Sequence, residues 1–176
     1  MQAGTGSRDR VSAMEISRLL SRRSAVGALL ALPSGLFALD TRESAPKFFA
    51  KTLDGDRYDS GSLKGRIVLI QFWATWCRYC RRDQEAVDTI THEFKDVLVL
   101  AVNMGESKGK VKRYLKDSPR SCKIVLGGDT NLAAMFAAKT YPLYVLIDQQ
   151  GKIAGEQRGA GGEAALRRLL RRAGLS

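Results

Sequence analysis

Two rhythms of apolar and polar positions alternate along residues 47–176. Ile67-Val68-Leu69-Ile70-Gln71-Phe72 and Val97–Asn103 are nearly unbroken apolar runs, the pattern of strands covered on both faces. The first is expected as the central strand, Arg66–Phe72, entered through a tight turn at Ser62-Leu63-Lys64-Gly65. Helical periodicity follows each run, over Tyr79 to Lys95 and over Lys108 to Asp117, the latter stopped by Ser118-Pro119. Upstream, a short strand begins near Lys47, turns at Asp54-Gly55-Asp56 and is followed by a second short strand near Tyr58. Downstream come a short strand at Lys123–Leu126 and a helix at Asn131–Ala138 opened by Asp129 or Thr130. An antiparallel pair, Leu143–Asp148 and Lys152–Gln157, then turns at Gln149-Gln150-Gly151, and a closing helix runs from Gly162 to Ala173. Strands interleaved with helices make this an α/β layout.

Residues 1–40 follow a different pattern. Arg18, Arg22 and Arg23 precede the apolar run Ala25–Leu32, which Pro33-Ser34-Gly35 breaks before Leu36-Phe37-Ala38. This is the layout of a targeting segment. From Ala25 to Leu39 is shorter than the roughly 20 residues that span a bilayer as a helix, so export with cleavage is expected ahead of a permanent N-terminal membrane anchor. Thr41 to Pro46 reads as a polar linker, leaving residues 47–176 as one folded domain.

The 176 residues carry a formal charge of +11, of which +2 belongs to residues 1–40 and +9 to the rest. A basic surface suits nucleic acid, anionic lipid or acidic proteins. No nucleic-acid-binding motif accompanies it, so no nucleic-acid partner is expected. Arg78, Arg81 and Arg82 crowd one loop, whereas Arg167, Arg168, Arg171 and Arg172 end the last helix, where cations suit the dipole.

That loop is Trp73-Ala74-Thr75-Trp76-Cys77-Arg78-Tyr79-Cys80, at a junction from strand to helix. The first turn of a helix offers unpaired N–H groups and the positive end of its dipole, and both favour a thiolate over a thiol. Cys77 is expected as an exposed nucleophile of low pKa, and Cys80, one turn further in, as a shielded resolving thiol. The same spacing is half of a zinc site, but such a site needs four ligands. The remaining candidates, Cys122 and His92, do not form a paired knuckle, so neither a metal nor a cofactor is expected. Cys122 is expected as a free, half-buried thiol, and His92 has no assigned chemistry. Trp76 is expected to flank Cys77 and Trp73 to join the core.

Several stretches together resemble one family. Ala45-Pro46-Lys47-Phe48, Leu53-Asp54-Gly55-Asp56 and Leu63–Cys77 are similar to the opening of the TlpA/ResA-like thioredoxin-fold thiol-disulfide oxidoreductases. Ala101–Ser107 and Tyr141–Ile153 resemble the same family's later landmarks, so the likeness runs from about Ala45 to Leu170. It implies a thioredoxin-like fold: a central mixed sheet flanked by helices, with an N-terminal strand extension and one inserted strand and helix. It further implies that Pro142 follows a cis bond and that Tyr141 presents backbone to an extended substrate, with Trp76, Arg78 and Tyr79 completing the substrate surface. Asp83 stands where the family generally carries a glutamate that moves protons. It is either the base for Cys80 or an acid early in a helix, paired with Arg82 or a nearby lysine.

The chain departs from the family in three places. Tyr79 replaces the usual proline, Glu85 another frequent proline, and Gln71 the buried aspartate of thioredoxins proper, which excludes a proton route through that aspartate. The Thr-x-x-Cys spacing of peroxiredoxins is absent, since Thr75 lies two residues before Cys77. The resemblance implies an exported protein-disulfide reductase of the periplasm or cell envelope. Its partners would be disulfide-bearing exported proteins, apocytochrome c among them, and a membrane thiol electron donor. Two alternatives stay open: an oxidant or isomerase driven by the arginines, and a redox-inert module binding partners at Tyr141-Pro142.

Overall fold

A computed structural model describes residues 42–175, so the targeting segment expected at residues 1–40 lies outside the described residues. Seven strands form one sheet. β1 (Phe49–Thr52) and β2 (Arg57–Asp59) come first, then β3 (Ile67–Trp73), β4 (Val97–Asn103), β5 (Lys123–Thr130), β6 (Leu143–Ile147) and β7 (Ile153–Arg158). Their order across the sheet is β2-β1-β5-β4-β3-β6-β7. β3, β4 and β5 are mutually parallel neighbours, while β6 pairs antiparallel to β3, β7 to β6, β1 to β5 and β2 to β1. This is the mixed sheet of a thioredoxin-like fold.

β3 is central because every one of its residues is buried. Alternate side chains of a strand point to opposite faces, and here both faces are covered. Ile67, Leu69 and Trp73 join an apolar cluster with Cys77, Cys80, Val87, Ile90, Tyr144 and Leu166. Val68, Ile70 and Phe72 join the opposite cluster, with Phe48, Leu100, Val125, Leu132 and Leu143. Sealing both faces leaves only the strand ends open, and the Cys-x-x-Cys loop leaves the sheet at the C-terminal end of β3.

Three elements differ from the sequence expectation. The single helix expected from Tyr79 to Lys95 is two, α1 (Arg78–Arg82) and α2 (Gln84–Glu93), joined at Asp83. Asp83 ends one helix and starts the other because its buried side chain is held by groups outside both. The next helix, α3 (Lys108–Asp117), has the expected bounds and is capped by Ser107. The helix expected over Asn131–Ala138 shrinks to α4 (Leu132–Met135), since Ala137 takes a positive φ of 44° that no helix continues through. β5 correspondingly runs on past Leu126, because Thr130 pairs with Ala50 and its hydroxyl donates to the Phe49 carbonyl. Residues 43–45 run along the start of β7: Ala45 N–H donates to Gly151 O, and Ile153 N–H to Glu43 O. The chain closes with α5 (Gly162–Arg171), which buries Ala165, Leu166, Leu169 and Leu170.

Candidate active site

Cys77 is the N-cap of α1, in extended backbone, and its Sγ accepts a hydrogen bond from Cys80 N–H at 3.1 Å. A donor at that distance favours the thiolate. Cys77 and Cys80 are joined as a disulfide, with Cα atoms 5.3 Å apart. Cys80 is fully buried, as expected of a shielded thiol, but Cys77 is only 4% exposed rather than open to solvent. The neighbouring side chains occupy the surface instead. Trp76 is 63% exposed and rests edge-on against Tyr141, with ring centroids 6.0 Å apart. Tyr141 precedes Pro142 through a cis bond, and Pro142 O accepts from Gly159 N–H.

The arginines of the loop have partners of their own. Arg81 Nη1 donates to Thr75 O at 3.0 Å. The guanidinium carbons of Arg78 and Arg82 lie 5.0 and 5.4 Å from the centroid of the Tyr79 ring, which is 48% exposed. Among the described residues neither cation has a carboxylate partner. Together Arg78, Tyr79 and Arg82 make a cationic shelf on one flank of the disulfide.

Asp83 is 1% exposed, and its carboxylate accepts three hydrogen bonds. Oδ2 takes the Tyr144 hydroxyl and Gly161 N–H, both at 3.1 Å, and Oδ1 takes Gly162 N–H at 3.0 Å. The expected pairing with Arg82 or a lysine is therefore replaced by neutral donors from β6 and the start of α5. Tyr144 is itself tied to Gln71, its cross-strand partner on β3, whose Nε2 donates to the phenol oxygen at 3.0 Å. Gln71 Oε1 accepts in turn from Arg120 Nη1 at 2.9 Å. Burial, then the adjacent Asp83 charge, push the Tyr144 phenol well above its usual range, so it keeps its proton.

A second carboxylate fastens the other side of the loop. Glu106, on the turn after β4, accepts Thr75 N–H and the Thr75 hydroxyl at 2.6 Å each, Asn103 Nδ2 at 2.8 Å and Lys110 Nζ at 2.7 Å. Burial alone would raise its pKa, but the hydrogen bonds from Lys110, Thr75 and Asn103 outweigh it and hold the group at about 2. Reading the sequence assigned no role to Glu106, Tyr144 or Arg120. The one visible signal was an acid following Asn103-Met104-Gly105, where a buried strand ends in a polar side chain.

Cys122 is buried rather than half-buried. Burial pushes its thiol up to about 11, despite the nearby Arg120 charge, so it stays protonated. His92 lies on α2 and its Nε2 is 2.7 Å from the Ser121 hydroxyl, away from the disulfide.

Residues 41–155 match the model of the AhpC/TSA family. Among curated proteins, the chain is 33% identical over 114 residues to the thioredoxin-like protein YneN of Bacillus subtilis, covering 63% of this chain and 67% of that one. It is 30% identical over 122 residues to the thiol-disulfide oxidoreductase ResA of the same organism, covering 68% of each. Among solved structures, the exposed lipoprotein thioredoxin Etrx1 of Streptococcus pneumoniae superposes with a TM-score of 0.63 at 25% identity, over 72% of this chain and 98% of that one. A Cys-x-x-Cys pair capping a helix at the end of a central strand, in a thioredoxin-like sheet with these relatives, places the chain in the AhpC/TSA family, among its thioredoxin-fold thiol-disulfide oxidoreductases.

Proposed function

We propose that the chain is an exported protein-disulfide reductase. The Cys77 thiolate attacks one sulfur of a substrate disulfide, and that bond breaks to release the other substrate sulfur as a thiolate, which takes up a proton. A mixed disulfide now joins Cys77 to the substrate. Cys80, having given its proton to a base, attacks Cys77 Sγ and expels the second substrate thiolate. The substrate has gained two electrons, and Cys77 and Cys80 are joined as in the structure. A membrane thiol donor then reduces them again.

The observation that carries this reading is the placement of the two sulfurs: Cys77 Sγ receives the Cys80 amide, while Cys80 is sealed beneath it. Asp83, three residues beyond Cys80 and fully buried, is proposed as the base. Trp76, Tyr141 and Pro142 are proposed as the apolar side of the substrate surface, with Arg78 and Tyr79 as its cationic side. That asymmetry favours disulfides with acidic residues nearby. The direction of electron flow within this reading is decided by the reduction potential of the pair. Export is supported by the pattern of residues 1–40 and by the likeness to a lipoprotein thioredoxin. Exported proteins with disulfides, apocytochrome c among them, are the proposed substrates.

Two variants test the mechanism. Cys77→Ser should abolish reduction of a disulfide substrate, and Cys80→Ser should accumulate a mixed disulfide visible on a non-reducing gel. Normal turnover by either would overturn it.

A further inference from the structure

The hydrogen bonds from Arg120 to Asp83 all run in one direction, and chemistry forces that direction. A guanidinium only donates, so the Gln71 amide must turn its oxygen to Arg120. Its NH₂ then faces the Tyr144 oxygen. The phenol, having accepted from Gln71, donates its only proton to Asp83 Oδ2. The result is a chain of three bonds, part-buried at Arg120 and buried from Gln71 to Asp83, at 2.9, 3.0 and 3.1 Å, with a cation at one end and a carboxylate at the other. Bonds aligned head to tail polarise one another, most strongly where water is excluded.

The cation is held by unusual means. Its carbon sits 3.7 Å from the centroid of the Trp73 ring. Its Nε and Nη2 are buried without a hydrogen-bond partner among the described residues. A guanidinium desolvated in this way costs stability unless its charge is used, and besides its contact with Cys122 it donates from Nη1 to Gln71.

We infer that Arg120 is a positioning residue for the dithiol chemistry, acting through Gln71 and Tyr144 to hold Asp83 as the proton acceptor for Cys80. This rests on the proposed role of Asp83. Other groups face the two ends. At Asp83 these are the Tyr144 phenol from β6 and the two amides of α5; Glu163 of α5 is engaged by Arg167, and Arg81 of α1 by Thr75 O. At Arg120 they are Cys122 and, from α2, Asp88, which accepts Ser121 N–H. None of these completes a second route from cation to carboxylate.

The test compares Arg120→Met, Tyr144→Phe and the double variant in the full chain. Arg120→Met removes the charge but keeps an apolar stem on Trp73. Tyr144→Phe cuts the chain with little change of volume. The readout is the pH dependence of mixed-disulfide resolution, measured by stopped flow on a preformed Cys77 adduct. Cutting the chain removes a donor that favours the charged form of Asp83, the form that takes the Cys80 proton, so each single variant should move the midpoint up by about one unit, equivalent to a tenfold slower reaction below it. The double variant should move it no further than either single one, and Arg120→Lys should recover part of the shift. An unchanged midpoint in Arg120→Met, or shifts that add in the double variant, would overturn the inference while leaving Cys77/Cys80 exchange intact. Should Arg120→Met fail to fold, Gln71→Leu cuts the same chain one bond later and must give the same shift. Loss of exchange in the unaltered chain would instead overturn the proposed function.

Discussion

Two buried carboxylates grip the Cys-x-x-Cys loop from opposite sides, and they are satisfied by different means. Glu106 binds four donor atoms that include a lysine ammonium, and it is held near pH 2. Asp83 binds three neutral donors, with its nearest hydrogen-bonded cation two side chains away. A carboxylate neutralised directly by a cation makes a rigid anchor, because protonating it breaks an ion pair as well as hydrogen bonds. Glu106 thus has the surroundings of a fastener for Thr75, while Asp83 is the group proposed as the base.

The sharpest test of this difference is to remove each acid in turn. Asp83→Asn should slow resolution of the mixed disulfide about 100-fold, the usual range for loss of a general base, with a modest loss of stability. Equal slowing by Glu106→Gln would erase the distinction. Glu106→Gln should instead lower stability by about 2 kcal/mol in urea unfolding, because Thr75, Asn103 and Lys110 lose a charged acceptor. Acid should reveal the same asymmetry. The folded-state pKa of Glu106 is depressed from 4.5 to about 2, so its contribution to stability is complete above pH 4.5 and disappears as the pH falls from there toward 2. Urea midpoints at pH 6 and pH 3 should therefore differ more in the unaltered chain than in Glu106→Gln. A smaller effect belongs to the rim: Arg78→Glu with Arg82→Glu should reverse a several-fold preference in kcat/KM for peptide disulfides flanked by acidic over basic residues, and high salt should flatten it.

The fold was largely legible because its signals are local. The continuous apolar runs of β3 and β4, Ser107 before α3 and Pro119 after it each have a physical meaning in isolation. So did Cys77 and Cys80, since their spacing and their place at a strand end are both local. The polar supports were not legible, because their partners are distant in sequence. Tyr144 meets Asp83 across 61 positions, and Arg120 meets Gln71 across 49. Nothing near Asp83 in the sequence announces that Gly161 and Gly162 will donate to it, and without those donors the break between α1 and α2 is invisible. The burial of Cys77 was not legible for a related reason, since its neighbour Trp76 meets Tyr141, just before β6, only in the folded chain.

The direction of electron flow is the claim on which the function turns, and the reduction potential of the Cys77/Cys80 pair measures it directly. Equilibration with glutathione buffers should give a value below about −230 mV, that of a reductase. A value near −120 mV, the range of strong disulfide oxidants, would contradict that account.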